Sequence, residues 1–272
     1  MPKQRLDVLI VERKLCESRQ QAQRLIQAGE VRVNQQLVDK AGTEVETTAE
    51  IEIKQRSQFV SRGGEKLLKA LQTFEIRVSD RVCLDGGIST GGFTDCLLQA
   101  GAKLVYGIDV GYGQVAWSLR QDPRVILRER TNIRHLKPEE LYQTNQPIPD
   151  LGVVDVSFIS LTKVLPALFQ LLSSPREVVL LVKPQFEVGR DRIGKKGVVR
   201  DPKDQADAIA QVWEAAAAIG WKYRGLTWSP LLGPAGNVEF LLWLNEVGSG
   251  EGIGLEEIRR VTQAARVGLV AD

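Results

Sequence analysis

Leu84-Asp85-Gly86-Gly87-Ile88-Ser89-Thr90-Gly91-Gly92-Phe93 is the stretch on which the fold turns. An apolar run ending at Leu84 leads into it, and an amphipathic helical pattern over residues 93–99 leads out. Strand, glycine-rich turn and helix in that order open a βαβ unit. Glycines let the backbone turn sharply and approach a ligand closely. The first turn of the helix then offers unpaired N–H groups to a polar ligand. The next strand should end at Asp109, about 20 residues on, where a carboxylate can accept from ribose hydroxyls.

Working outward, the same alternation repeats. Strands are expected at 82–85, 104–109, 125–127, 151–156 and 178–182. Helices are expected at 65–72, 93–99, 115–120, 161–172 and 204–219. Elements in this order predict an α/β domain, a mostly parallel sheet with helices on both faces. The last two strands, 225–228 and 238–244, are joined by a connection with no room for a helix. They should therefore pair as an antiparallel hairpin, an ending typical of Rossmann-like methyltransferase folds.

The first 58 residues read as a small α+β domain of their own. Leu6, Leu9, Ile10 and Arg13 have helical spacing. Ser18 and Gln21 have the form of a capping box, and Gly29 stands where a C′ glycine belongs. Val31-Arg32-Val33 and Gln36-Leu37-Val38 flank Asn34-Gln35 as a short hairpin, and Ile51-Glu52-Ile53 alternates like a further strand. A polar, basic bridge over residues 54–64 leads to the second domain, 59–247. Residues 248–272 form a tail that is glycine-rich and then amphipathic from Leu255 to Val267.

The chain of 272 residues is 43% hydrophobic and 26% charged, enough for a large buried core. A net charge of +2 does not by itself imply a polyanionic partner. Three cysteines without a C-x-x-C pair, and one histidine, argue against a zinc site, and no metal is expected. Sparse cysteines fit a reducing cytosol. No run approaches the ~20 apolar residues of a membrane helix, and the start lacks a signal-peptide core. A soluble cytoplasmic protein with no membrane partner is expected, as a monomer or a weak dimer.

Several readings of loop 85–93 compete. A nicotinamide site would want G-x-G-x-x-G, which this spacing does not give. Gly87-Ile-Ser-Thr-Gly91 matches the G-x-S-x-G nucleophile elbow, with His135 downstream. In that hydrolase fold, however, earlier strands precede the elbow, and no acidic partner is readable beside His135. A plain connecting turn needs fewer glycines.

Four charged residues fall near expected strand ends or before the sheet: Lys66, Asp155, Lys183 and Glu239. Ligands of open α/β sheets lie beyond the carboxyl ends of the strands, which puts Asp155 and Lys183 in the crevice of the glycine loop. A ribose hydroxyl is a weak nucleophile at neutral pH. A lysine kept neutral by burial or by a second cation could accept its proton, with carboxylates to orient it. Ordinary salt bridges at the sheet edge are the competing explanation.

These residues carry a family resemblance. The second domain resembles the FtsJ-like ribose methyltransferases, which use a Lys-Asp-Lys-Glu set whose first lysine follows a Ser-Arg pair, here Ser61-Arg62. The whole chain is similar to the TlyA family of rRNA methyltransferases, often labelled hemolysin A. The supporting strings are Ser61-Arg-Gly-Gly64, Ser89-Thr-Gly-Gly-Phe-Thr-Asp95, Asp109-Val-Gly-Tyr-Gly-Gln114, Asp155-Val-Ser-Phe-Ile-Ser160, Leu181-Val-Lys-Pro-Gln-Phe-Glu-Val-Gly189 and Gly233-Pro-Ala-Gly-Asn-Val-Glu239. Gly86 and Gly87 depart from it, standing where a larger and a small residue are expected. The N-terminal unit resembles an RNA-binding domain shared with a small-subunit ribosomal protein, through Arg5-Leu-Asp7, Ser18-Arg19-Gln20-Gln21-Ala22, Leu25-Ile26-Gln27-Ala28-Gly29 and Val31-Arg32-Val33-Asn34.

The resemblance implies S-adenosylmethionine as methyl donor and cytidine riboses of ribosomal RNA, naked or in subunits, as acceptors. The donor would lie along Asp85, Gly86, Gly87, Ser89, Thr90, Gly91, Gly92 and Phe93. Asp109 would meet its ribose and Asn132 its adenine, with Asp155 close by. Lys183 would be the base, Asp155 would polarise it, and Lys66 and Glu239 would position the hydroxyl. RNA contacts would come from Arg5, Lys14, Arg19, Arg24, Arg32 and Arg62; by its charge alone, a loop bearing Arg190, Arg192, Lys195, Lys196 and Arg200 reads equally as an RNA clamp or as a mobile surface loop. Two other readings stay open: a non-catalytic RNA-binding assembly factor on a degenerate fold, and a pore-forming hemolysin.

Overall fold

The computed structural model describes residues 2–53, 58–247 and 252–269. Residues 54–57 of the expected bridge, and 248–251 and 270–272 of the expected tail, lie outside the described residues. The chain divides into two compact units, Met1–Ser57 and Gln58–Asp272.

In the first unit the order is β1 (Lys3–Arg5), α1 (Leu6–Glu12), α2 (Arg19–Gln27), β2 (Val31–Val33), β3 (Gln36–Leu37), β4 (Glu44–Glu46) and β5 (Ile51–Ile53). Ser18 caps α2 by accepting the Gln21 N–H at 3.3 Å. The Gln21 side chain reaches past it and accepts from the N–H of Glu17, one residue earlier than a capping box requires. Gly29 takes φ +69°, the left-handed conformation of a C′ residue. Asn34 and Gln35 both have positive φ, which suits the two-residue turn joining β2 to β3. The antiparallel pair β1–β4 had no sequence signal, because two three-residue strands so far apart leave no periodicity. Leu6, Ile10, Ala22, Ile26 and Val31 are fully buried and form the small core.

The second unit runs α3 (Gly63–Thr73), β6 (Val82–Gly86), α4 (Gly92–Gln99), β7 (Leu104–Ile108), α5 (Trp117–Arg120), β8 (Val125–Arg128), α6 (Pro138–Leu141), β9 (Leu151–Val154), α7 (Leu165–Leu171), β10 (Glu177–Val182), α8 (Pro184–Glu187), α9 (Pro202–Ala217), β11 (Lys222–Trp228), β12 (Phe240–Asn245) and α10 (Leu255–Gly268). The seven-stranded sheet has the order β11-β12-β10-β9-β6-β7-β8. All pairs are parallel except those made by β12 with β10 and with β11. The expected α/β class and the antiparallel final hairpin are both present. The helix expected at 161–172 begins as a 3₁₀ turn, Leu161–Lys163, before α7, and the one expected at 115–120 shrinks to α5.

Successive strand residues bury into opposite faces. Leu84, Tyr106, Val154 and Leu180 pack with α7, α9 and α10; Cys83, Val105, Val153 and Leu181 pack with α3 and α4. Both faces being covered, β9 and β10 are buried almost throughout and read as continuous apolar runs. The order of successive strands reverses across the centre: β7 and β8 lie on one side of β6, β9 and β10 on the other. A crevice opens beyond the carboxyl ends of such strands, and the glycine loop and Asp155 stand there.

Candidate active site

Asp155 follows β9, and its N–H donates to the Gly86 carbonyl at 2.9 Å. Its carboxylate meets the ammonium of Lys183, just past β10, at 2.6 Å. Lys183 also donates to Ser157 Oγ at 2.8 Å. Lys66 reaches in from the first turn of α3 and donates to Glu239 Oε2 at 2.6 Å. That pair is nearly sealed, Glu239 being 1% exposed and Lys66 9%. Gly233 leaves the space Glu239 needs, since a Cβ there would sit 2.6 Å from Glu239 Oε1. Glu239 lies just before β12 rather than inside it. Burying an ion pair costs solvation, so the sealed Lys66–Glu239 pair beside the half-buried Lys183–Asp155 pair points to function more than to stability.

Three adjoining cavities meet at Asp155, which lines each of them. The first is walled by Ser61, Arg62, Lys66, Thr90 and Phe93. The second, about 310 Å³, is walled by Gly87, Ser89, Asp109, Asn132 and Ile133. The third, about 490 Å³, brings together Lys66, Lys183, Glu239, Ser157, Phe158 and Phe186. All four members of the expected Lys-Asp-Lys-Glu set therefore converge on one cavity, and it adjoins the glycine loop.

The loop itself is built for close approach. Gly87 has φ +88°, and a Cβ there would lie 2.4 Å from the Asp155 carbonyl oxygen, so only glycine fits. Gly91 owes its glycine to φ +101°; the atom nearest a Cβ there is a terminal methyl of Leu119, which can move. Asp109 is held by two backbone donors, Ser89 N–H at 2.8 Å and Gly111 N–H at 2.7 Å. Each oxygen retains a second acceptor site. Asn132 spends its carbonyl oxygen on the Arg134 N–H and keeps its NH₂ donors.

Other expected residues stand back from the cavities. Asp85 is fully buried and lines none of the three cavities; Thr94 Oγ1 donates to its Oδ2 at 2.7 Å. Burial pushes its pKa up to about 7, against the Thr94 hydrogen bonds. Gly86 and Gly91 shape the turn from behind. His135 is exposed and lines none of these cavities, so the apparent elbow around Ser89 has no base.

The expected RNA contacts divide. Lys14, Arg24, Arg32, Arg62, Arg190, Lys195, Lys196 and Arg200 are exposed. Arg5 and Arg19 are occupied by the buried Asp7, at 3.0 and 2.9 Å, though their outer surfaces reach solvent. Arg5 beside it holds the Asp7 carboxyl well below the usual carboxylate range. Arg192 is tied back to Asp204 and Asp207 of α9.

Two site residues went unsignalled in the sequence. Ser157 orients Lys183, yet a serine after a strand is unremarkable. Phe158 is 92% exposed at φ +64°, with its ring 5.2 Å from that of Phe186. A bulky residue rarely adopts that conformation, and strain of this kind concentrates at functional sites. A phenylalanine beside strand residues reads as core until its exposure is known.

Among the described residues no group of histidine, cysteine and carboxylate side chains could hold a metal ion, and no helix is long and apolar enough to cross a membrane. Residues 59–246 match the model of the FtsJ-like methyltransferase family, and residues 4–51 match the S4 domain. A candidate rRNA methyltransferase, YqxC, of Bacillus subtilis (strain 168) is 48% identical over 97% of this chain and 94% of its own. The 16S/23S rRNA (cytidine-2'-O)-methyltransferase TlyA of Mycobacterium tuberculosis (strain ATCC 25618 / H37Rv) is 50% identical over 88% and 89%. The solved structure of a candidate hemolysin from Streptococcus thermophilus superposes with a TM-score of 0.76 at 42% identity, covering 100% of this chain and 98% of that one. The chain is an enzyme of the FtsJ-like methyltransferase family, in the TlyA group that joins this domain to an S4 domain.

Proposed function

We propose that this chain transfers a methyl group from S-adenosylmethionine to a cytidine ribose 2′-oxygen of ribosomal RNA. The observation that carries the reading is the meeting of Lys66, Asp155, Lys183 and Glu239 at one cavity that shares Asp155 with the glycine-loop cavities. The names of the TlyA relatives supply the acceptor class. A ribosomal substrate would also place the protein in the cytoplasm.

The loop suits the donor. Gly87 and its neighbours allow close backbone approach, Asp109 offers fixed acceptors to ribose hydroxyls, and Asn132 offers amide donors beside the apolar Ile133. When bound, the sulfonium supplies an electrophilic methyl group. As the neutral amine, its N–H groups held by Asp155 on one side and Ser157 on the other, Lys183 would take the proton of the attacking hydroxyl and become an ammonium, while the 2′-oxygen gains the methyl group and the methyl–sulfur bond breaks. The Lys66–Glu239 pair fixes the hydroxyl's approach without moving its own charge. Positioning accounts for much of such a rate, because a bound near-attack geometry replaces a bimolecular encounter. Phe158 and Phe186 offer ring faces for a base turned out of its stack.

Mapping ribose methylation across rRNA from cells with and without the gene tests this reading. One or more cytidine sites should lose methylation in the deletion strain; identical maps would refute it. The non-catalytic alternative loses ground because no member of the charged set is missing.

A further inference from the structure

The third cavity is walled on one side by the basic loop, residues 190–200, and the structure shows what holds that wall. Asn237 is 1% exposed. Its Oδ1 accepts the Val199 N–H at 2.9 Å, and its Nδ2 donates to the Gly197 carbonyl at 2.9 Å. An amide side chain, one acceptor and one donor on one carbon, is matched to that pair of backbone groups. Gln205 of α9 donates to the Val199 carbonyl at 2.9 Å, and Arg192 fastens the other end of the loop to Asp207 at 2.7 Å. Between the two anchors, the Gly197 N–H donates to Gly194 and closes a tight turn. Lys196 is held within that turn at φ +64°, a costly conformation for a lysine.

Lys196 and Gly197 line the cavity. The other lysines there, Lys66 and Lys183, are already neutralised by Glu239 and Asp155. Lys196 therefore brings the cavity a charge with no carboxylate paired to it among the contacts of the described residues. An RNA strand entering with its ribose toward Lys183 also brings a phosphodiester, and it needs a cation. Asn237 lies two residues before Glu239, in a turn closed by the Gly233 N–H to its own carbonyl at 2.8 Å. The clasp on the loop and the Lys66–Glu239 pair thus share one rigid segment.

We propose that Asn237 is a positioning residue, clasping the basic loop so that Lys196 meets the phosphodiester beside the reacting ribose. This rests on the RNA methyltransferase reading above. The full-length chain, Lys196→Ala, Asn237→Ala and the double variant are compared for binding to deproteinised total rRNA across a salt series. The same proteins are assayed for methyl transfer to purified ribosomal subunits, and their donor binding is measured by calorimetry. Lys196→Ala should weaken RNA binding about fivefold at about 0.15 M salt and lower the salt slope by about 0.9, the loss of one phosphate contact. Asn237→Ala should give the same loss with donor affinity unchanged, and the double variant should be no weaker than either. Methyl transfer should show the effect in KM more than in kcat.

A parental salt slope in Asn237→Ala, or losses that add in the double variant, would overturn the proposal. If Asn237→Ala unfolds, Asn237→Leu keeps the volume without the hydrogen bonds and must show the same slope change. If the parental chain itself transfers no methyl group, the function reading fails, and the binding slopes still decide the role of Asn237.

Discussion

At the residue scale, Lys183 and Asp85 show what burial and partners do to a charge. In the proposed function, Lys183 receives the ribose proton. Lys183→Ala should lower kcat by roughly 10²–10⁴-fold, the usual contribution of a general base, while calorimetric donor affinity stays within about twofold. Parental turnover by that variant would remove Lys183 from the role. Asp85 titrates in the opposite sense to a salt-bridged acid. Its folded pKa is raised by burial to about 7, from about 3.9 in an unfolded chain. Between these values the folded state holds a proton that the unfolded state has released. Its stabilising effect is therefore complete below pH ~4 and is lost as pH rises through ~7. Relative to Asp85→Asn, the parental protein should lose up to about 1.4 kcal/mol of stability per pH unit across that window. Denaturation midpoints measured from pH 4 to 8 test this, and parallel curves would show that Asp85 is not the source. Both residues were visible in the sequence as conspicuous charges. That Asp85 turns inward to Thr94 and Lys183 outward to Ser157 was not, because alternation along a strand does not say what waits at its end.

At the element scale, the strand-turn-helix of β6 and α4 was legible throughout, since its signal is local. Glycines mark the turn, and apolar spacing marks the elements on either side. The structure revised the value of one glycine. Gly87 seemed a mere departure from the resembled pattern, yet its φ of +88° and the Asp155 carbonyl leave no room for a side chain. Gly87→Ala should therefore lower stability by about 1–3 kcal/mol through backbone strain. It should also weaken donor binding roughly tenfold or more, as the loop moves away from Asp155. Unchanged donor affinity in a folded variant would mean that the loop does not cradle the ligand. The basic loop was legible only as composition. Its five lysines and arginines look alike in sequence, but Arg192 is consumed by α9 and Lys196 faces the cavity.

At the scale of the whole molecule, the chain divides into two compact units, Met1–Ser57 and Gln58–Asp272. The second unit contains the sheet, the three cavities and all four site charges, so we expect fragment 58–272 to fold and to bind S-adenosylmethionine with affinity within a few-fold of the full chain. The exposed Lys14, Arg24 and Arg32 belong to the first unit. Without it, KM for ribosomal RNA should rise at least tenfold at physiological salt, because several phosphate contacts are lost together. Unaltered KM in the fragment would count against an RNA role for the first unit. Taken alone, the sequence determined the class of the fold, the place of the glycine loop and the four charges proposed for the reaction. The fold class and the loop follow from burial periodicity and from local turn chemistry, both of which are written at short range; Lys66 and Glu239 joined the set through the family resemblance. Only the tertiary structure decided that β12 inserts between β10 and β11, that Lys66 pairs with Glu239 across 173 positions, and that Asn237 clasps the basic loop. Such pairings depend on which distant groups the packed core leaves side by side, and no short-range pattern encodes that choice.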